Sequence, residues 1–179
     1  VVTGDRVLFE RERDEDGAPV PGRGVVSARL PRDGLLARHT ALGLRPVCSN
    51  LDTLVVVLAP EPAPHADLLD RYVLAAALDD LEVLLVLNKM ELPAAAEPTL
   101  TALLAPYPGL GIPVLRVSAS TGAGLDALRA RLAGRAAALV GQSGVGKSSL
   151  LNALVPGADA EVGTLSARRN RGRGRGRHT

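Results

Sequence analysis

The chain has 179 residues, 46% of them hydrophobic, and a formal net charge of +2, enough apolar material for one medium domain or a small domain beside most of a larger one. A single cysteine, Cys48, excludes an internal disulfide, and His39, His65 and His178 offer no zinc-ligand spacing. No signal-peptide pattern opens the sequence and no apolar run approaches the length of a membrane span, so a soluble, cytoplasmic protein with no membrane partner is expected.

Residues 1–45 are rich in charge, Gly and Pro, with short β-like runs at Asp5–Arg11 and Gly24–Leu30 around the polar loop DEDGAPVPGRG. They predict a small β domain. From Asn50 the texture changes: Leu51–Ala59 is a continuous apolar strand, residues 65–79 follow a helical pattern, and Glu82–Leu87 is a second apolar strand. A further passage ends in a strand at Ile112–Val117. A helix over Gly124–Ala133 then leads through Gly134, a candidate C-cap, to a strand at Ala136–Val140. Strands alternating with helices predict a parallel sheet covered on both faces, hence an α/β fold. Cys48, just before the first of these strands, is expected to be a small buried or half-buried residue.

After the last strand, Gly141, Gln142, Ser143, Gly144, Val145, Gly146, Lys147 and Ser148 match G-x-x-x-x-G-K-[ST] at every fixed position, with Ser149 next and a helical pattern at Leu150, Leu151 and Leu154. An ordinary Gly/Ser turn can look similar in isolation. The strand before and the helix after supply the context of a phosphate-binding loop, whose backbone N–H groups and helix N-terminus face the anion. Lys147 is expected to reach the β- and γ-phosphates, and the Ser148 hydroxyl to bind Mg²⁺.

The strand at Glu82–Leu87 runs into Asn88-Lys89-Met90-Glu91, and the strand at Ile112–Val117 into Ser118-Ala119. In GTPases an N-K-x-D loop reads guanine: the final carboxylate accepts from N1–H and the 2-amino group, donors that adenine does not present there, and a buried carboxylate left without them is costly. Asn88 is expected to contact the base edge and brace the phosphate loop, the Lys89 stem to cover the ring face, and the Ala119 N–H to reach O6. Here Glu91 replaces the Asp, so an extra methylene must be absorbed by a small loop shift; guanine preference is expected to survive, at the risk of weaker affinity. Alone, NKME also reads as a polar strand-to-helix loop; the serine-alanine loop and the phosphate loop give it its meaning.

In most GTPases the phosphate loop comes first and the base-reading loops last, whereas here the order is reversed. A circular permutation keeps a fold when the old termini were close in space, and the short Gly134-Arg135 connection suits such a junction. The ordered set GDRVLFE, CSNLD, LDRY, NKMEL, VSA, GQSGVGKSSLLNAL and GRGRHT resembles the circularly permuted GTPases, most closely the ribosome small-subunit-dependent GTPase A family, over nearly all of the chain. The resemblance implies an OB-type barrel, here partial, over residues 1–45, and a permuted GTPase domain over residues 46–179 ending in or just after the first switch loop. It also implies GTP or GDP with Mg²⁺ as cofactors, a monomer, and a role in late maturation of the small ribosomal subunit through contact with that subunit and its rRNA.

Three departures from the family pattern lead to the expectation of an internal fragment. The barrel's first strand, the D-x-x-G motif and the C-terminal zinc module are not in the sequence, so zinc is expected only in a module outside this chain. Further strands are then expected to belong beside Ala136–Val140, leaving it an open edge here. The segment Ala167–Thr179 holds six arginines, from Arg168 to Arg177. It reads either as a low-complexity RNA-binding tail or, by the resemblance, as the first switch loop. On the latter reading Thr179 meets Mg²⁺ and the γ-phosphate, and His178 is a candidate catalytic residue. Three other functions remain open on sequence: a permuted GTPase for the large subunit or another RNA particle, a phosphate-loop ATP-using enzyme such as a kinase, and a non-catalytic RNA-binding module.

Overall fold

The computed structural model describes residues 1–40, 43–93, 98–155 and 157–158, without the side chains of 38–40. His178, Thr179 and the Arg/Gly segment lie outside the described residues.

Six consecutive apolar or β-branched residues make β5 (Thr53–Leu58), and every one is buried. Such a strand needs cover on both faces and a hydrogen-bonded neighbour on both sides. It has them: the parallel sheet runs β7 (Val114–Arg116), β6 (Glu82–Leu87), β5, β8 (Ala137–Val140). Val55 pairs with Leu84 on one side and with Leu139 on the other. Side chains alternate between the faces. Leu54, Val56 and Leu58 join Leu85 and Leu87 under α1 (Ala66–Leu78), α2 (Pro98–Leu104) and α3 (Pro106–Gly109), which contribute Leu69, Ala76, Leu100, Leu104 and Tyr107. Val55 and Val57 join Leu84, Val86 and Val117 against α4 (Leu125–Leu132) and α5 (Lys147–Leu154), through Leu125, Leu128 and Leu150. Tyr107 braces the first layer, its hydroxyl donating to Asp70 Oδ1 at 2.8 Å.

The strands expected at 51–59, 112–117 and 136–140 are each shorter in the structure, while Glu82–Leu87 has the expected bounds. β8 is an edge strand among the described residues and only half-buried, in contrast to β5 and β6. From β5 the chain steps outward to β6 and β7, then returns to place β8 on the other side of β5. That reversal opens a crevice at the carboxyl ends of β5 and β8, the usual ligand position in an open parallel sheet.

The N-terminal residues form two antiparallel ribbons: β1 (Val7–Arg13) with β2 (Pro19–Arg29), and β3 (Leu35–Thr40) with β4 (Gly43–Ser49). Among the described residues they remain separate two-stranded sheets and do not close into a barrel. β2 is longer than the expected Gly24–Leu30 run because Pro19 and Pro21 are tolerated in a two-stranded ribbon, where one side of each strand needs no N–H partner. β4 carries the chain across the expected boundary between residues 45 and 46, and its end holds Cys48, buried at 8% exposure.

A polar node ties these ribbons to each other at the end of β4. Asp5, just before β1, accepts two hydrogen bonds from Arg32, from Nε at 2.6 Å and Nη2 at 2.8 Å, and one from the Ser49 hydroxyl at 2.7 Å. Asn50 donates to the Gly4 carbonyl at 2.8 Å and accepts from the Asp33 N–H at 2.8 Å.

Candidate functional site

Four loops leave the carboxyl ends of β5, β6, β7 and β8, and the predicted site residues among the described ones sit on the last three and on the start of α5. β8 enters the phosphate loop through Gly141, whose φ of +143° and position decide its identity: a Cβ there would stand 2.2 Å from the Val57 carbonyl. The loop closes at Gly146, with φ +91°, where a Cβ would stand 2.4 Å from Asn88 Nδ2. Both positions need glycine, one because the loop crosses β5, the other because the Asn88 amide presses against it. Ser143 is exposed, Gly144 turns the chain with positive φ, and Val145 is fully buried beneath the loop. α5 begins at Lys147, with Ser148 and Ser149 in its first turn.

Lys147 folds back over this loop, donating to the carbonyls of Gly141 at 3.0 Å and Gln142 at 2.6 Å. Burial lowers its pKa from the ordinary lysine value. The Gln142 Oε1 is buried without a hydrogen-bond partner in the structure. Glycines that a Cβ would crowd, loop N–H groups at the start of a helix and a lysine against that loop fit a phosphate chain. Among the described residues no cluster of three His, Cys, Asp or Glu could hold a metal ion. A Mg²⁺ bound with a phosphate chain would find the Ser148 hydroxyl in the first turn of α5, the position of the metal ligand in phosphate-loop proteins.

Asn88 joins the loops. It is 1% exposed; its Nδ2 donates to the Val145 carbonyl at 3.0 Å, and its Oδ1 accepts from the Ala119 N–H at 3.0 Å. The expected brace on the phosphate loop is thus present as a direct hydrogen bond. The Ala119 N–H, expected to reach a base oxygen, takes part in this brace by donating to Asn88 Oδ1. Lys89 has φ +63° and reaches across to the Glu61 carbonyl at 2.8 Å, so its stem lies over the loop that follows β5.

Glu91 is exposed at the rim, and its carboxylate Oε1 accepts from the Ser120 hydroxyl at 2.8 Å. The Ser118 hydroxyl, 1% exposed as a residue, lies 3.1 Å from that of Ser120 and accepts from the Thr121 N–H at 3.0 Å. Hydrogen bonding from Ser118, then from Glu91's own backbone N–H, outweighs burial and, with Ser120 and the Lys89 charge, holds the Glu91 carboxyl below its ordinary pKa. Ser120 and Thr121 were not read from the sequence as site residues, although the second serine in Ser118-Ala119-Ser120 was the available signal.

Residues 29–179 match the family described as RsgA GTPase. The chain belongs to the RsgA GTPase family. It is 48% identical over 181 residues to the small ribosomal subunit biogenesis GTPase RsgA of Azotobacter vinelandii, covering 100% of this chain and 50% of that protein. It is 45% identical over 181 residues to the protein of the same name from Ectopseudomonas mendocina, with the same coverage. The chain therefore spans about half the length of the curated RsgA relatives it matches. Among solved structures, YjeQ from Thermotoga maritima is similar with a TM-score of 0.67 and 31% identity, over 88% of this chain and 52% of that one. YloQ, described as a circularly permuted GTPase, is similar in fold with a TM-score of 0.62 and 24% identity, over 89% and 52%. The sheet order and the late phosphate loop are those of a circularly permuted GTPase fold.

Proposed function

We propose that the chain binds GTP and GDP with Mg²⁺ and forms the nucleotide-binding part of a GTPase that acts in maturation of the small ribosomal subunit. The observation that carries the nucleotide reading is Asn88, whose one buried amide ties the phosphate loop to the serine-alanine loop and so fixes the base-reading edge relative to the phosphates. The names of the relatives support the ribosomal role and the small subunit as partner. In this reading residues 1–45 form a β module beside the GTPase domain of residues 46–179. Lys147 contacts phosphate, Ser148 the metal, Glu91 the guanine edge, and Thr179 and His178 the γ-phosphate side in the GTP state.

The reading is tested by titrating labelled GDP and ADP against the natural full-length protein. Preference for GDP is expected, with Lys147→Ala weakening both nucleotides and Ser148→Ala chiefly weakening the Mg²⁺ dependence. Equal affinity for ADP would instead favour an ATP-using enzyme. GTP hydrolysis stimulated by isolated small subunits, and not by large subunits, tests the ribosomal half of the proposal.

A further inference from the structure

We infer that Ser120 is a positioning residue for guanine reading, required because Glu91 is one methylene longer than the usual aspartate; its hydroxyl holds the longer carboxylate where the base edge can meet it. The inference rests on the nucleotide reading above. Glu91 stands at the exposed rim, where water competes for its carboxylate and its extra torsion gives it more conformers to lose on binding. The structure removes that freedom with a short chain of hydrogen bonds. Thr121 N–H donates to Ser118 Oγ at 3.0 Å, the Ser118 and Ser120 hydroxyls meet at 3.1 Å, and Ser120 donates to Glu91 Oε1 at 2.8 Å.

The platform under this chain is rigid. Ser118 N–H donates to the Ala123 carbonyl and Gly122 N–H to the Ser118 carbonyl, each at 2.9 Å. Gly124 packs so closely that a Cβ there would stand 2.3 Å from the Arg116 carbonyl. One carboxylate oxygen is thereby anchored, leaving the other to face N1–H and the 2-amino group of a guanine. An aspartate at position 91 would withdraw its carboxylate by roughly 1.5 Å, about one carbon–carbon bond, and would leave the reach of Ser120.

The test compares GDP, IDP and ADP binding to the natural full-length protein and to Ser120→Ala, Glu91→Asp and the double variant. IDP lacks the 2-amino group, so the GDP-to-IDP ratio reports where the carboxylate stands. Ser120 is exposed, so its replacement leaves folding intact. Ser120→Ala is expected to lower GDP affinity roughly three- to tenfold and to compress the GDP-to-IDP ratio. Ser118 remains the larger lowering contact, so losing the Ser120 donor raises the Glu91 carboxyl pKa only part-way, and GDP binding should begin to fail at a slightly higher pH on acidification than in the unaltered protein. In the Glu91→Asp background the same serine replacement is expected to change nothing.

An equal loss from Ser120→Ala in both backgrounds, or an unchanged GDP-to-IDP ratio, would show that Ser120 only shapes the loop, and would overturn the inference while leaving the guanine reading in place. Failure of the unaltered protein to prefer GDP over ADP would overturn both.

Discussion

β5 and β1 are both strands of a few residues, yet all of β5 is buried and only Val7 of β1 is even half-covered. The difference lies in what each strand is paired with. β5 has a parallel neighbour on either side and helices over both faces, so its apolar side chains leave water entirely. β1 pairs with β2 alone, and Leu8 and Phe9 remain more than half exposed. A two-stranded ribbon has little cooperative stability of its own. The polar node of Asp5, Arg32, Ser49 and Asn50 joins the two ribbons to each other at the end of β4, and Leu36 of β3 packs against the core of the sheet. The molecule thus combines a sheet held by apolar burial with a β module whose ribbons are joined by directed hydrogen bonds and which meets the core through Leu36.

The sharpest way to break that contrast is to delete equivalent side chains in the two regions. Leu85→Ala removes a fully buried side chain from the middle of β6, and is expected to cost about 2–5 kcal/mol in global stability. Phe9→Ala removes a larger side chain that is 56% exposed, and is expected to cost no more than about 0.5 kcal/mol. Denaturant unfolding followed by circular dichroism measures both. Comparable losses would mean that the ribbon is packed into the cooperative core after all.

The site loops belong energetically to the sheet, and Asn88 tests this. Asn88→Ala orphans the buried Val145 carbonyl, worth about 1–3 kcal/mol when left unpaired, and frees the part-buried Ala119 N–H, which water can reach. A stability loss in that range is expected alongside a loss of nucleotide binding, with calorimetry and GDP titration as the readouts. Loss of binding with unchanged stability would show that the loops stand apart from the core.

The same physical divide explains what the sequence made legible. TLVVVL and EVLLVL are continuous apolar runs that only a doubly covered strand tolerates, so β5 and β6 could be read directly. LLARHT and GLRPVCS mix charge, proline and apolar residues with no clean alternation, and β3 and β4 were not anticipated. The phosphate loop and Asn88 were legible because their chemistry requires those residue types at that spacing. Ser120 was not, because its role depends on the single extra methylene of Glu91 and on a hydroxyl three-dimensionally, not sequentially, beside it.

At the joint, charge can be titrated. Arg32 is the chief reason that the Asp5 carboxyl lies well below the usual carboxylate range; desolvation opposes it, and the Val2 N–H and Ser49 hydroxyl assist. A carboxyl depressed in the folded state contributes stability above its unfolded pKa and loses it only as pH falls through the folded value. The joint should therefore persist through mild acid. Arg32→Ala removes the largest depressing contact and leaves the burial that raises the pKa, so opening should begin at a higher pH. Hydrogen exchange at the Ser49 amide, which donates to the Thr3 carbonyl at 3.0 Å, reports the joint between neutral pH and about pH 4. An identical pH profile in the variant would mean that the ion pair does not hold the ribbon.

The smallest effect is expected where charge stands at the edge of the apolar sheet. After α4 the chain turns at Gly134, with φ +72°, and enters β8 beside β5. Arg135 hydrogen-bonds Glu82 and lies 3.4 Å from the Thr53 hydroxyl, while Arg131 meets the same Glu82 carboxylate. The backbone makes a separate tie: Ala136 N–H donates to Asp52 Oδ2 at 2.7 Å, and Asp52 N–H to the Ala136 carbonyl at 2.8 Å. Arg135 and Glu82 are each about a third exposed, at 37% and 32%. Water and salt therefore screen the pair, and Arg131 remains to satisfy Glu82 when Arg135 is removed. Arg135→Ala is expected to cost less than about 1 kcal/mol, and less still in high salt. Asp52→Ala, which strips an acceptor from the backbone N–H just before β8, is expected to cost more than Arg135→Ala at every ionic strength. A larger, salt-sensitive loss from the arginine would place the hold on this junction in the ion cluster, and would make the edge of the sheet resemble the N-terminal joint more than the core it borders.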